Sequence, residues 1–196
     1  METTGYWRIL AEWEAKPLPA GFESAPVIAF EALCIDRSSA LRLIERYAGS
    51  TSLHQANALC YVLCKYVQSV DDNPLDLLVA FHKRFRFRGH DASMSTLLGT
   101  VSYSIQRNRF GVQCASVAAL CVDALTKCEE MLGNRDGLVS KVPDLLEILE
   151  LIVEYAMIDA LLTPDERHSL LLSIERLHRM LDYFEKRPSE VDGGSD

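Results

Sequence analysis

The sequence predicts an all-α protein, on three observations. Apolar residues recur at intervals of three and four along most of the chain, the repeat of a helix with one buried face. Start and stop signals punctuate those runs where helices would begin and end. The strict apolar–polar alternation of a half-buried strand is almost absent. A chain of 196 residues, 48% of them hydrophobic, is long enough to bury a sizeable core.

Residues 1–25 carry Trp7 and Trp13 and then Pro17, Pro19 and Gly21, which predicts a short helix followed by an irregular connection. From Pro26 onward the pattern is helical almost throughout. Ser38 or Ser39 can cap a helix that runs to about Ala48, where Gly49 stops it. Ser50 to Ser52 offer the next cap, and Leu53, Ala56, Leu59, Cys60, Leu63 and Val67 form an apolar stripe behind it. Asp71-Asp72-Asn73-Pro74 reads as a turn with Pro74 at the first helical position, and Leu77, Leu78, Phe81 and Phe85 as that helix's core face. Gly89 breaks the chain and Asp91 or Ser93 restarts it. Met94, Leu97, Leu98, Val101 and Ile105 then repeat until Asn108 to Gly111 ends the run.

Val112 to Leu132 is apolar nearly all round, which predicts a central buried helix. Gly133-Asn134-Arg135-Asp136-Gly137 is the strongest break, and it divides a multi-helix N-terminal lobe (1–132) from a C-terminal acidic lobe (133–187) packed against it. The second lobe reads as a helical hairpin. Its first helix spans Pro143 to about Leu162, with Glu147, Glu150 and Glu154 on one face. Its second starts at Thr163-Pro164-Asp165-Glu166, a capping box with Pro at the first position. Leu170, Ile174, Leu177, Leu181 and Phe184 follow at spacings of four, three, four and three. That stripe lasts only about two heptads, so it serves either packing within the hairpin or self-association. The polar tail 188–196 is expected to be disordered.

Charge is segregated along the chain. From Pro74 to Cys128 there are seven Lys/Arg against three Asp/Glu, a balance of +4, whereas residues 1–73 carry −3 and residues 129–196 carry −9. The basic island centres on Phe81-His82-Lys83-Arg84-Phe85-Arg86-Phe87-Arg88-Gly89-His90. If Lys83 to Arg88 continues the helix, its four charges spread over the face opposite Leu78, Phe81 and Phe85. If the chain is extended there, Arg84, Arg86 and Arg88 share one side and Phe85 and Phe87 the other. Both geometries set guanidinium groups beside aromatic rings, which suits phosphate contacts with a shallow apolar anchor. Arg107 and Arg109 join this candidate anion-binding set if the loops bring them near. The alternative is a solvated face that pairs with acidic residues of the same chain or a neighbour.

No apolar run approaches a membrane span, and the N-terminus lacks a signal-peptide pattern, so any membrane contact is expected to be peripheral. The six cysteines show no C-x-x-C, and no His stands at metal-ligand spacing from Cys or carboxylate. Reduced, buried core thiols are expected. There is no nucleophile motif, P-loop or dinucleotide fingerprint. No catalytic activity, metal, cofactor or small-molecule substrate is therefore expected.

The stretch Asp72-Asn73-Pro74 through Leu78-Val79-Ala80-Phe81-His82-Lys83-Arg84-Phe85-Arg86-Phe87-Arg88-Gly89-His90-Asp91-Ala92 resembles the Asp-Pro turn and basic helix of influenza-type (orthomyxovirus) matrix proteins. Leu98 to Gly111 resembles that family's helix ending in an Asn-Arg-hydrophobic-Gly turn, and Val112 to Cys128 its Cys-containing apolar helix. The likeness covers about Asp71–Cys128. The chain is shorter and more acidic than the influenza proteins and lacks their Cys/His zinc-type cluster, and its length suits a divergent member of the fish isavirus (infectious salmon anaemia virus) type.

The resemblance implies an all-helical structural protein that lines the inner face of the viral envelope, polymerises, and bridges membrane to viral ribonucleoprotein. It implies a place in the virion beneath the envelope and, in the host cell, in the cytoplasm, at the inner face of the plasma membrane and in the nucleus. Carried over by position, Lys83, Arg84, Arg86 and Arg88 become the membrane or ribonucleoprotein contact. The acidic C-terminal lobe fits head-to-tail stacking on a neighbour's basic face. Two other readings stand beside it: a cytosolic adaptor that binds a protein through the Leu170–Phe184 hairpin, and a nucleic-acid-binding protein that uses the same island.

Overall fold

A computed structural model describes residues 3–15, 25–49, 52–71, 74–86, 91–107, 117–133, 139–158 and 162–185. The helices are α1 (Thr3–Ala15), α2 (Ala25–Leu33), α3 (Arg37–Tyr47), α4 (Leu53–Ser69), α5 (Leu75–Phe85), α6 (Asp91–Arg107), α7 (Val117–Gly133), α8 (Val142–Ile158) and α9 (Pro164–Glu185). A short 3₁₀ turn, Val139–Lys141, leads into α8. Among the described residues there is no strand, and the class is all-α.

Local chemistry sets the helix starts. Asp36, rather than Ser38 or Ser39, caps α3. Its carboxylate accepts the Ser39 N–H at 2.7 Å, and the Ser39 hydroxyl accepts the Asp36 N–H at 3.0 Å. Ser39 is thus the third-residue partner of a reciprocal box. Ser52 caps α4, accepting the Gln55 N–H at 3.4 Å. Pro74 stands at the cap position of α5, one residue before the first helical residue, and makes no side-chain cap bond. At α9 the Thr163 hydroxyl accepts the Glu166 N–H at 3.2 Å while the Glu166 carboxylate accepts the Thr163 N–H at 2.8 Å.

The helices share one core, which runs from Leu10 in α1 to Leu181 in α9. α4 and α6 lie parallel. The thiols of Cys60 and Cys64 donate to the carbonyls of Ser93 and Thr96 at 3.7 and 3.8 Å, and Gln68 Nε2 to Thr100 Oγ1 at 3.1 Å, so the numbers rise together along both helices. α8 packs most extensively on α6, and α9 covers α7 and α8. The hairpin therefore joins the core of the N-terminal helices instead of building one of its own. The expected lobe boundary falls at residues 134–138, outside the described residues. α7 is not buried all round: Val122 is 51% exposed and Ala119 faces solvent too, so this helix is amphipathic. No helix among the described residues is long and apolar enough to cross a membrane.

Candidate anion-binding surface

The described part of the basic island is the end of α5. Leu77, Leu78, Phe81 and Phe85 are fully buried, and the Phe81 and Phe85 rings stack at 5.0 Å. That apolar face directs Lys83 and Arg84 outward, and both are exposed, as is Arg86. The helix ends at Phe85. Arg86 follows in the left-handed conformation, φ 48° and ψ 39°, with its N–H donating to His82 O at 2.8 Å. Neither expected geometry holds at Arg86: the chain is helical through Phe85, and Arg86 is left-handed. The Phe85 ring points into the core, so it offers no shallow apolar anchor to the neighbouring guanidinium groups. Phe87, Arg88 and Arg109 lie outside the described residues. Arg107 closes α6, but its side chain also lies outside them.

Packing adds a residue that local pattern does not signal. Arg37 at the start of α3 pairs with Asp76 at the start of α5, and the Arg84 guanidinium donates to the carbonyl of Glu45, near the end of α3, at 3.2 Å. α3 and α5 therefore run parallel, with both C-terminal ends on the same side of the molecule. Each helix end concentrates unpaired carbonyls and about half a negative charge. Arg46 in the last turn of α3 and Lys83 and Arg84 in the last turn of α5 answer that charge. Arg86 Nε also reaches Lys83 O, at 3.4 Å. The Arg46 guanidinium lies 5.6 Å from the Trp7 ring centroid and 5.4 Å from that of Tyr47, so two aromatic faces hold it. The result is a composite basic surface of Arg46, Lys83, Arg84 and Arg86, with the exposed Glu45 among them.

His82 lies behind this surface. It is buried, and its Nε2 sits 3.0 Å from Asp123 Oδ2 of α7. Burial pushes its pKa below the usual histidine value; the Asp123 carboxylate opposes that shift and the Arg86 charge adds to it. Beside Asp123, Val122 is a solvent-facing aliphatic residue on the adjoining helix.

The five described cysteines are buried thiols, and Cys114 lies outside the described residues. Burial pushes the Cys34 thiol up to about 11 and those of Cys121 and Cys128 up to about 12, far from the range of a reactive thiolate. Among the described residues no group of three His, Cys, Asp or Glu could hold a metal ion. Leu170, Ile174, Leu177 and Leu181, the candidate self-association stripe, are buried in the core on the side of α9 that meets α7 and α8. Their apolar surface is consumed inside the chain and is not free to meet a partner. Phe184 belongs to α9, but its side chain lies outside the described residues. Comparison with family models, with curated proteins and with solved structures finds no match.

Proposed function

We propose that this chain is a non-catalytic structural protein of the matrix type, which binds anionic membrane peripherally through the shared C-terminal end of α3 and α5. The observation that carries the reading is the gathering of four exposed cations, Arg46, Lys83, Arg84 and Arg86, from two parallel helices on one end of the molecule. A Lys or Arg near an anionic surface contributes roughly 1 kcal/mol, so one copy binds weakly. Self-association turns many weak sites into stable attachment through effective concentration. The likeness to orthomyxovirus matrix proteins supplies the assembly part of the proposal, in which the protein polymerises and bridges membrane to ribonucleoprotein. The exposed Asp144, Glu147 and Glu154 of α8 offer a complementary acidic face for a head-to-tail contact between copies.

Co-sedimentation with neutral and anionic vesicles at low and high salt, followed by electron microscopy of the pellet, tests the proposal. The expected result is salt-sensitive binding to anionic vesicles with ordered protein arrays. Replacing Lys83, Arg84, Arg86 and Arg88 together by Ser should abolish that binding while leaving the helical circular-dichroism signal and the melting transition in place. A monodisperse monomer that ignores anionic vesicles would sink the reading. Salt-sensitive binding to RNA with no vesicle binding would reassign the surface to nucleic acid.

A further inference from the structure

Arg86 is the only non-glycine residue with positive φ among the described residues. It stands just past the end of α5, where chains most often place glycine because a Cβ in the left-handed region crowds the neighbouring carbonyl. The bond that closes the turn, Arg86 N–H to His82 O at 2.8 Å, is a backbone bond that glycine would make equally well. The side chain returns little to the fold. Among the described residues its side chain makes one hydrogen bond, Nε to Lys83 O, long at 3.4 Å, and no carboxylate pairs with it. Its charge also disfavours protonation of the buried His82 one turn back. The other two guanidinium groups of the surface, though exposed, have partners within the chain, Arg84 in the Glu45 carbonyl and Arg46 in the Trp7 and Tyr47 rings it lies against.

We propose that Arg86 is the principal phosphate-contacting residue of this surface, a guanidinium kept in an unfavourable backbone conformation for binding and not for folding. The inference rests on the membrane-binding reading above and names the residue that makes its main contact. A conformation that a side chain disfavours, and that its internal contacts do not offset, marks a position held for an external ligand. The ligand class is the phosphate oxygens of anionic lipid headgroups. The planar fork of arginine takes two such oxygens at once, whereas the ammonium of Lys83 acts as a point charge. The left-handed turn also ends the helix, so Arg86 lies beyond its last turn and not along its flank.

Thermal melting and binding to phosphatidylserine-containing vesicles, both on the full chain, separate the two effects. Arg86→Gly relieves the left-handed strain and should raise Tm by about 2–4 °C, the shift for a modest gain in a domain of this size. The same variant should bind vesicles more than about fivefold more weakly, a larger loss than the roughly fivefold of one ordinary cation near the surface. Arg86→Lys keeps charge and backbone strain, and should keep Tm while losing part of the affinity with the fork. Arg179→Gln removes an exposed cation of α9 that pairs with Glu175 and should leave vesicle binding unchanged. Wild-type binding with an unaffected Arg86→Gly variant would overturn this inference alone. An Arg86→Gly variant with lowered Tm would also overturn it, because Arg86 would then serve the fold. Wild-type protein that ignores the vesicles would overturn the membrane reading and this inference together.

Discussion

His82 is 3% exposed and still carries a titratable ring, 3.0 Å from the Asp123 carboxylate of another helix. Its folded-state pKa lies below the ordinary 6.5, because burial of the imidazolium outweighs the attraction of Asp123. For a base depressed in this way the unfolded chain binds the proton more readily. The stability this group contributes is thus fully present above about pH 6.5 and is lost as pH falls through the lower folded value. Melting curves between pH 7.5 and pH 4.5 should show Tm falling on the acid side, and His82→Gln should flatten that fall. Asp123→Asn removes the opposing interaction and should move the midpoint to still lower pH; an unchanged midpoint would remove the ion pair from the account. Sequence alone reads His82 as one more bland histidine, since its partner stands 41 residues away. The cations Lys83, Arg84 and Arg86 are visible in the sequence as a local charge excess. Arg46 is not, because nothing around it in α3 distinguishes it from an ordinary helix-ending arginine.

At the scale of the element, the most legible features are the helix starts. Thr163-Pro164-Asp165-Glu166 is read as a capping box from its residues, and the reciprocal bonds are present at 3.2 and 2.8 Å. Thr163→Ala should lower stability by about 1 kcal/mol, and Tm by about 2–4 °C, while Thr163→Ser should restore most of it. The start of α3 is less legible: Ser38 and Ser39 read as its caps, and Asp36 holds the position instead. Reciprocity decides it. Only Asp36 has a hydroxyl residue three positions on that returns the bond. The end of α5 is missed for a related reason. Arg is an unusual residue for a left-handed cap, so nothing in Lys83 to Arg88 signals that the helix stops at Phe85.

At the scale of the molecule, one contiguous core includes α8 and α9 together with the helices before Gly133. A chain truncated after Gly133 would leave apolar faces of α6 and α7 uncovered. It should fail to melt cooperatively, whereas the full chain should unfold in one transition. Leu149, fully buried in α8, tests the same point: Leu149→Ala should cost about 2–5 kcal/mol and shift the whole transition. A variant that melted in two steps, with only the hairpin lost first, would make the hairpin an independently folding lobe.

Local residue patterns are enough to assign the helical class, most helix positions, the inward faces of α5 and α9, and the existence of a basic island. Each of these follows from residues within about four positions of one another, the range of helical periodicity and capping. Three further features emerge from packing alone: α3 and α5 lie parallel, Arg46 joins Lys83, Arg84 and Arg86 on one end, and the hairpin shares the common core. Those outcomes rest on pairs such as Arg37 with Asp76 and Glu45 with Arg84, each 39 residues apart. Their meeting depends on how whole apolar faces pack, and a local pattern carries no record of that.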